Sequence, residues 1–268
     1  MKILISNDDG VYAPGIIALN RALVGAGHEV VVVAPDSERS GSGSAITITR
    51  PLRLSQVAGG FWAVNGTPAD CVYLACNGGL SANFDLVISG INSGANLGDD
   101  VMYSGTVGAA REARHLSLPA LAVSLCGSKV REYRNPEDYE NCANWVSKFI
   151  ESGLPDLGGD IININVPDGK ILGAVVTRMG ARLPANPVTQ THDPRGSEVF
   201  WIGLSGKELK TQPIHGLMSD FEAVEKGLVS VTPIKTDVTD YEQVHLLENH
   251  PVLTGWKLQV SNTQGEDD

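Results

Sequence analysis

The chain opens with the stretch that most limits its fold, since residues 2–10, KILISNDDG, pass from apolar to acidic within the length of one strand. Such a run predicts a buried strand of a parallel sheet, and open parallel sheets bind ligands just beyond the carboxyl ends of their strands. Neighbouring strand residues point to opposite faces, so Asp8 and Asp9 converge only where the strand has ended, and Gly10 permits that turn. Adjacent carboxylates repel each other unless a cation lies between them. The stretch predicts a site for a hard divalent metal ion, the alternative being a polar turn that caps the helix beginning near Pro14.

The following residues predict a doubly wound α/β sheet. A helix from Pro14 to about residue 27 is followed directly by the apolar strand HEVVVVAP, the strand–helix–strand unit of a right-handed parallel crossover. Apolar strands at residues 84–90, 118–125 and 160–167, with helices at 68–79, 106–116 and 135–152, continue this alternation. No GxGxxG dinucleotide fingerprint follows the first strand, where the acidic pair stands instead.

Other segments predict departures from this alternation. ITITRPLRL (46–54) and FWAVN (61–65) predict two short strands, and beyond residue 173 the pattern favours antiparallel strands and projecting hairpins. We therefore predict one α/β domain over residues 1–238, with hairpin segments within about 173–238, and a C-terminal arm and tail over 239–268.

Composition narrows the class of protein. With 268 residues, 42% of them hydrophobic, the chain can bury a substantial core without disulfides. The formal net charge of -11 argues against a nucleic-acid polymer as partner. Met1 leads directly into the first strand, with no leader pattern and no apolar run of bilayer-spanning length, so we expect a cytoplasmic protein without membrane association. The cysteines lack CxxC spacing and predict small buried hydrophobes rather than zinc ligands: Cys71, Cys76, Cys126 and Cys142.

Two loops begin at predicted strand ends and carry oxygen donors. The Gly/Ser-rich loop at residues 36–47 includes Ser40, whose hydroxyl is a candidate metal ligand, although such a loop is also typical of a flexible connection. Past the strand at 84–90, Asn92 offers a neutral amide oxygen. Further along this loop, the side chains that line the site or form a solvated turn are Asn96, Asp99 and Asp100.

The start of the helix at 106–116 is a candidate anion site. Ser104, Gly105 and Thr106 combine two hydroxyls with a glycine at a helix N-terminus, where free N–H groups attract phosphate. Ordinary N-capping by Ser104 is the alternative. His192 beside Asp193 and the arginines beyond residue 173 are weaker signals for catalysis and anion binding.

Taken together, the segments resemble one known family. The chain is similar to the SurE family of stationary-phase survival proteins, which are metal-dependent nucleoside monophosphate phosphatases, through SNDDGVYAPGI, APDSERSGSGSAIT, GTPADCVYL, VISGINSGANLGDDVMYSGTVGAAREA, LPALAVSL, NINVP, HDPRG and DFEAVEKGLVSVTPIKTDVT. The resemblance extends to about Thr239.

This resemblance implies a Rossmann-like three-layer αβα fold and a site. One divalent metal ion per subunit, Mg²⁺ or Mn²⁺, would be bound by Asp8, Asp9, Ser40 and Asn92. The phosphate site would include Asn96, Ser104, Gly105 and Thr106. It also implies a homodimer or homotetramer with exchanged C-terminal segments, activity on 5′- or 3′-nucleotides, and short polyphosphate as a further substrate. Two departures from the family pattern are Ser37-Glu38, in place of polar or basic residues, and Leu228, in place of an aromatic residue. The first changes the charge at the pocket mouth, and with it the expected substrate preference, but leaves the metal assignment intact.

The predicted function is hydrolysis of a phosphomonoester, with nucleoside monophosphates as substrates. Asp8 or Asp9 would activate the attacking water, and the residues do not decide between them. A nucleotide- or metal-binding stress sensor with little turnover is the alternative from another class. A sugar-nucleotide glycosyltransferase is disfavoured by the short chain and the lack of a second Rossmann half.

Overall fold

The computed structural model describes residues 1–80, 82–114, 118–156, 158–183, 188–202, 206–210 and 212–254. The strands are β1 (Lys2–Ser6), β2 (Glu29–Pro35), β3 (Leu54–Gln56), β4 (Trp62–Val64), β5 (Leu86–Ser93), β6 (Ala120–Cys126), β7 (Ile161–Pro167), β8 (Gly173–Val176), β9 (Thr189–His192), β10 (Glu198–Trp201) and β11 (Leu228–Ile234). The α-helices are α1 (Pro14–Gly25), α2 (Pro68–Leu74), α3 (Gly105–Arg114), α4 (Glu140–Glu151), α5 (Asp220–Glu225), α6 (Tyr241–Glu248) and α7 (Pro251–Thr254). Short 3₁₀ turns include Gly98–Met102 and Pro136–Tyr139.

The central sheet is mostly parallel and has nine strands in the order β3-β4-β2-β1-β5-β6-β7-β11-β8. The strands from β4 to β7 run parallel, whereas β3 pairs antiparallel with β4 and β11 antiparallel with β7. From β1 the chain first adds β2 on one side and later β5 on the other. This reversal places a topological switch point at the carboxyl ends of β1 and β5, where doubly wound sheets bind ligands.

Helices cover both faces of the sheet. Apolar residues of α1 and α4 pack on one face with alternate residues such as Ile3 and Ile5 of β1, while α2 and α3 pack on the other face with Leu4. The period-2 alternation of the buried strands therefore supplies two separate cores. The predicted three-layer α/β fold is confirmed, including the additional antiparallel strands.

The predicted strand at residues 46–54 is wrong, because the chain there is irregular until β3 begins at Leu54. Thr47 donates from its backbone N–H to Asp70 Oδ1 at 2.8 Å and from its hydroxyl to Asp70 Oδ2 at 2.6 Å. These bonds attach the segment to the first turn of α2 instead of to a neighbouring strand.

The strand predicted at residues 84–90 extends further than expected, since β5 runs to Ser93. Its pairing with β6 shifts register between Ser89 and Asn92. Asn92 therefore lies within the last residues of the strand, not past its end.

The C-terminal region contains a separate two-stranded sheet in which β9 and β10 pair antiparallel, in agreement with the predicted hairpin. The expectation of antiparallel strands beyond residue 173 is wrong for β8, which pairs parallel with β11. The chain divides into two compact units, Met1–Thr236 and Asp237–Asp268. In the second unit α6 is capped by Asp240, whose carboxylate accepts the N–H groups of Glu242 and Gln243. The predicted tail at residues 262–268 lies outside the described residues. Across the described ranges, no helix is both long and apolar enough to cross a bilayer.

Candidate active site

The carboxyl end of β1 is shaped by a reciprocal pair of hydrogen bonds that turns the chain away from the sheet. Asn7 Nδ2 donates to the carbonyl oxygen of Gly10 at 2.9 Å, and the Gly10 N–H donates to Asn7 Oδ1 at 3.1 Å. Gly10 has a φ of 103°, which favours glycine. Because the strand has ended, Asp8 and Asp9 both line one cavity, as their adjacency predicted.

Asp8 is the more buried of the two acids, with 4% of its surface exposed. Its Oδ1 accepts the hydroxyl of Thr106 at 2.6 Å, and its backbone carbonyl accepts the N–H of Arg39 at 2.7 Å. Burial raises the pKa of Asp8 above its usual value, and the Thr106 bond opposes this shift. Asp8 therefore joins β1, the loop after β2 and the start of α3.

Asp9 is held from the neighbouring strand. Its Oδ2 accepts the backbone N–H of Ser93 at 2.9 Å, and the Ser93 hydroxyl shares a 2.6 Å hydrogen bond with the buried hydroxyl of Tyr139. Burial, followed by the adjacent charge of Asp8, raises the pKa of Asp9 to about 6. A bound cation would oppose both effects, since it favours the ionised carboxylates.

Ser40 lies on the same cavity and forms a hydrogen bond with its near neighbour Glu38. The Ser40 hydroxyl donates to Glu38 Oε1 at 2.8 Å, and both residues line the cavity. With its proton directed to Glu38, the Ser40 oxygen keeps its lone pairs for another partner. Glu38, noted above as a departure from the family pattern, thus adds a third carboxylate to this part of the cavity.

A hydrogen bond fixes the orientation of the Asn92 side-chain amide. Its Nδ2 donates to the Gly94 carbonyl at 2.7 Å, so the donor side of the amide is engaged within the chain. The Oδ1 atom is then the part of this side chain suited to a cation. Asn92 and Ser93 both line the cavity that contains the two acids.

The N-terminus of α3 approaches Asp8 closely because residue 105 is glycine. A Cβ atom at Gly105 would lie 2.6 Å from Ser42 Oγ and 2.9 Å from Asp8 Cβ. Ser104 Oγ accepts the Val107 N–H at 3.1 Å, so the predicted alternative of N-capping is confirmed for this hydroxyl. Ser104 lines the cavity, whereas Gly105 and Thr106 are absent from its described lining. The first N–H groups of a helix are nevertheless donors of the kind that bind anions.

Ser42 lies beside the start of α3 but is absent from the described lining of the cavity, and the sequence did not single it out. Its Oγ is buried without a hydrogen-bond partner in the described part of the chain, beside Gly105. A buried unpaired hydroxyl is costly, and a ligand oxygen at this place would satisfy it. Its position in the Gly/Ser-rich loop was the only available signal.

Asp99 and Asp100, in the loop after β5, both contact Arg182, but only Asp100 lines the cavity. Asp100 lines the cavity, but it forms a bidentate ion pair with Arg182, whose Nε lies 2.9 Å from each carboxylate oxygen. Asp99 is absent from the described cavity lining, and its Oδ2 accepts the Arg182 backbone N–H at 2.8 Å. Arg182 also lies over the ring of Phe221, 4.7 Å from its centroid. The pair therefore secures the segment around Arg182 rather than supplying free acids.

The cavity has a volume of about 910 Å³. It is lined in part by arginine side chains that the sequence did not identify as site residues. Arg131, Tyr133 and Arg134 reach it from the loop after β6. Arg134 donates to two backbone carbonyls in its own loop, whereas the exposed guanidinium of Arg131 has no acceptor among the described residues. Arg131 is thus available to an anion. The predicted candidates that belong to the described lining of the cavity are Asp8, Asp9, Ser40, Asn92, Asn96, Asp100 and Ser104, whereas Asp99, Gly105 and Thr106 do not belong to it.

His192 and Asp193, the weaker candidates for catalysis, lie at the turn between β9 and β10. Asp193 Oδ1 accepts the backbone N–H groups of Arg195 and Ser197, which closes the turn between β9 and β10. His192 ends β9, and neither His192 nor Asp193 belongs to the described lining of the cavity.

The fold and site define a class of protein: a three-layer α/β protein with an acidic site at its topological switch point, bordered by a helix N-terminus. Residues 3–186 match the family model for survival protein SurE, and the chain belongs to that family.

Similar proteins cover nearly the whole chain. The 5′-nucleotidase SurE of Acinetobacter baylyi is 55% identical over 255 residues, which are 93% of this chain and 99% of the relative. That of Legionella pneumophila is 46% identical over 252 residues, covering 93% and 96% of the two chains. The crystal structure of a SurE protein from Aquifex aeolicus has a TM-score of 0.75 and 39% identity, with 92% of this chain and 98% of that chain covered.

Proposed function

We propose that the chain is a metal-dependent phosphomonoesterase that hydrolyses nucleoside 5′-monophosphates, and also 3′-monophosphates and short polyphosphate. Relatives at 46–55% identity that are named 5′-nucleotidase support a hydrolase of phosphoric monoesters. The observation that carries the proposal is the convergence of Asp8 and Asp9 with the N-terminus of α3, through the 2.6 Å bond between Thr106 and Asp8.

The donor set fits one hard divalent ion. Two carboxylates, Asp8 and Asp9, would bind Mg²⁺ or Mn²⁺ together with the neutral oxygens of Ser40 and Asn92. The described residues contain no cluster of three or more His, Cys, Asp or Glu side chains suited to a metal ion, so neutral oxygens and water would complete the coordination. The bound ion would supply a Lewis acid that neutralises charge on the phosphoryl group.

Residues of the chain would orient the phosphoryl group. N–H groups at the start of α3, the predicted donors around Ser104, Gly105 and Thr106, would bind its oxygens. Arg131 would add a positive charge from the opposite loop. Water would attack the phosphorus in line with the leaving nucleoside oxygen, and one of the two acids would accept the proton of that water. The leaving oxygen would take up a proton as its bond to phosphorus breaks.

The test is phosphate release by the purified full-length chain. With Mn²⁺, we expect turnover of p-nitrophenyl phosphate, AMP and a panel of other nucleoside monophosphates, and we expect EDTA to abolish it until excess Mn²⁺ is restored. Metal-dependent nucleotide binding without phosphate release would overturn the proposal in favour of a sensor.

A further inference from the structure

The face of the sheet beneath α3 changes from apolar to polar toward the carboxyl ends of its strands. On β7, Ile161 belongs to the apolar core, whereas Asn163 and Asn165 follow on the same face. On β6, Ala122 is followed on that face by Ser124. Asn163, Asn165 and Ser124 are each fully buried. Burying such groups is costly unless they are hydrogen-bonded, so their partners are informative.

Asn163, Asn165 and Ser124 all bind one residue of the cavity, Asn96, and Asn165 Oδ1 also accepts from Cys126 Sγ at 3.4 Å. The Asn96 N–H donates to Asn165 Oδ1 at 2.9 Å, and Asn165 Nδ2 donates back to the Asn96 carbonyl at 3.0 Å. Asn163 Nδ2 donates to the same carbonyl at 2.9 Å. Both main-chain polar groups of Asn96 are thus bound by side chains of β7.

The side chain of Asn96 is oriented by a third contact from the same network. Its Nδ2 donates to Ser124 Oγ at 2.7 Å. An amide nitrogen carries two N–H groups, so this bond sets the direction of the second one. Asn96 is 6% exposed and lines the cavity that holds Asp8 and Asp9.

We propose that Asn165 is a positioning residue for phosphoryl binding, which acts by holding Asn96 in the geometry that receives the substrate's phosphate. This inference rests on the proposed function. Asn165 is buried within β7 and is absent from the described cavity lining, so its effect on substrate passes through Asn96. Ser124 has the complementary role of fixing the Asn96 amide.

A purely structural role for the network is the alternative, and the chain offers a matched control. Thr177 shares hydrogen bonds of 2.8 Å with Ser230 Oγ and 2.6 Å with Thr232 Oγ1. All three residues are buried, Thr177 directly after β8 and the other two on β11, and none belongs to the described cavity lining. Ser230 and Thr232 lie opposite Asn165 and Asn163 on the neighbouring strand, so the control is made close to the network. Thr177→Val removes a buried hydroxyl, as Asn165→Ala removes a buried amide, but it removes no hydrogen bond to Asn96.

The experiment measures the affinity for inorganic phosphate by calorimetry, in the presence of Mn²⁺, for the wild type and a set of variants. We expect Asn165→Ala to weaken phosphate binding roughly 10- to 100-fold, in the range found for residues that support binding and catalytic groups. Ser124→Ala, a milder change that keeps the fold if Asn165→Ala does not, should weaken it by several-fold. Thr177→Val should leave phosphate affinity unchanged although it lowers the melting temperature.

A double-mutant cycle identifies the route of the effect. In an Asn96→Ala background, Asn165→Ala should change phosphate affinity by less than about twofold, because the group that it positions is already gone. Mn²⁺ affinity should be the same in all variants, since the metal-binding side chains are not part of the network.

The inference would be overturned if Thr177→Val lowered the melting temperature as much as Asn165→Ala does and also lost the same phosphate affinity. Additive effects of Asn96→Ala and Asn165→Ala would also overturn it. Failure of the proposed function would be seen separately, as wild-type protein that binds phosphate without releasing it from any monoester.

Discussion

At the scale of single residues, the two acids after β1 determine what the cavity can bind. Replacing one acid by its amide tests the charge alone, because in Asp8→Asn the Oδ1 atom can still accept the Thr106 hydroxyl. Since burial raises the pKa of both acids, removing one charge should leave the metal-free protein at least as stable. We expect Asp8→Asn and Asp9→Asn each to lower kcat by roughly 100-fold or more.

Thermal unfolding at increasing Mn²⁺ concentrations tests the same substitutions by a measurement that does not depend on enzyme activity. A metal that binds only the folded state stabilises it by about 2.7 kcal/mol at 100 times its Kd, and this shift should occur in the wild type and be lost in both variants. Asp156→Asn, at an exposed carboxylate that accepts the Gly158 N–H, is the control and should keep the shift. A full Mn²⁺-dependent shift in either site variant would contradict the ligand assignment.

Glu38 brings a carboxylate to the cavity beside Ser40. The Glu38 carboxylate attracts a cation and repels a phosphate. Removing its charge in Glu38→Gln should therefore weaken Mn²⁺ binding and strengthen binding of AMP, each by roughly fivefold or less. Calorimetry with Mn²⁺ and the KM for AMP measure the two effects. Glu151→Gln, at the exposed end of α4, should change neither; equal changes in both variants would refute a local role for Glu38.

Gly105 tests how closely α3 must approach the acids. Alanine normally stabilises a helix by about 0.5–1 kcal/mol relative to glycine. At this position, however, the added Cβ would lie 2.6 Å from Ser42 Oγ and 2.9 Å from Asp8 Cβ. We expect Gly105→Ala to lower the free energy of unfolding by ~1–3 kcal/mol and to reduce kcat/KM sharply.

Gly25→Ala, at the end of α1, is the matched control. A Cβ there would meet no atom within 4 Å, so this variant should be as stable as the wild type or slightly more stable. Denaturant unfolding of the two alanine variants compares them directly. Equal stability and full activity in Gly105→Ala would mean that α3 has room to move away from Asp8.

At the scale of elements, one buried carboxylate joins segments that are far apart in the chain. Asp220, at the start of α5, accepts the N–H of Gly98 at 2.7 Å, that of Gly180 at 2.8 Å and that of Phe221 at 3.0 Å. It thereby attaches the 3₁₀ turn after Asn96 to the residues after β8. The element carrying the site is held in place from α5 as well as from β7.

Asp220→Asn should weaken this attachment. The asparagine amide nitrogen is a donor, so it cannot accept the backbone N–H at one of the three contacts. We expect the free energy of unfolding in urea to fall by ~1–3 kcal/mol, the cost of leaving a buried donor unsatisfied. Asp240→Asn, at the exposed N-cap of α6, should cost little because asparagine caps helices as well as aspartate does. A similar small effect at both positions would argue against the proposed junction.

At the scale of the whole molecule, we propose the homodimer or homotetramer that the family resemblance implies. Phe200 and Trp201 on β10 expose 60% and 68% of their surfaces, on a two-stranded sheet that is only marginally stable by itself. Phe200→Ser combined with Trp201→Ser should shift light-scattering masses toward the monomer. Tyr73→Ser, at a 48% exposed tyrosine on α2, should not; a monomeric wild type would contradict the proposal.

Much of the fold was predictable, because the buried strands are apolar runs bounded by glycine and polar residues, and such boundaries are local. The failure at residues 46–54 has a tertiary cause: alternation is a local pattern, but Thr47 found its partner in Asp70, 23 residues away. The end of β5 was misplaced by three residues because glycine at position 90 normally marks a strand end.

By itself, the sequence determined the types of donors and the edge of the sheet at which they gather: two adjacent carboxylates after a buried strand, and hydroxyls at a helix start. Tertiary structure alone decided which groups meet. Thr106 reaches Asp8 across 98 residues, and Asn165 reaches Asn96 across 69. The periodicity of apolar residues indicates which side chains are buried. Strand order and register determine which side chains become hydrogen-bond partners, because they bring distant segments together only when the chain has folded.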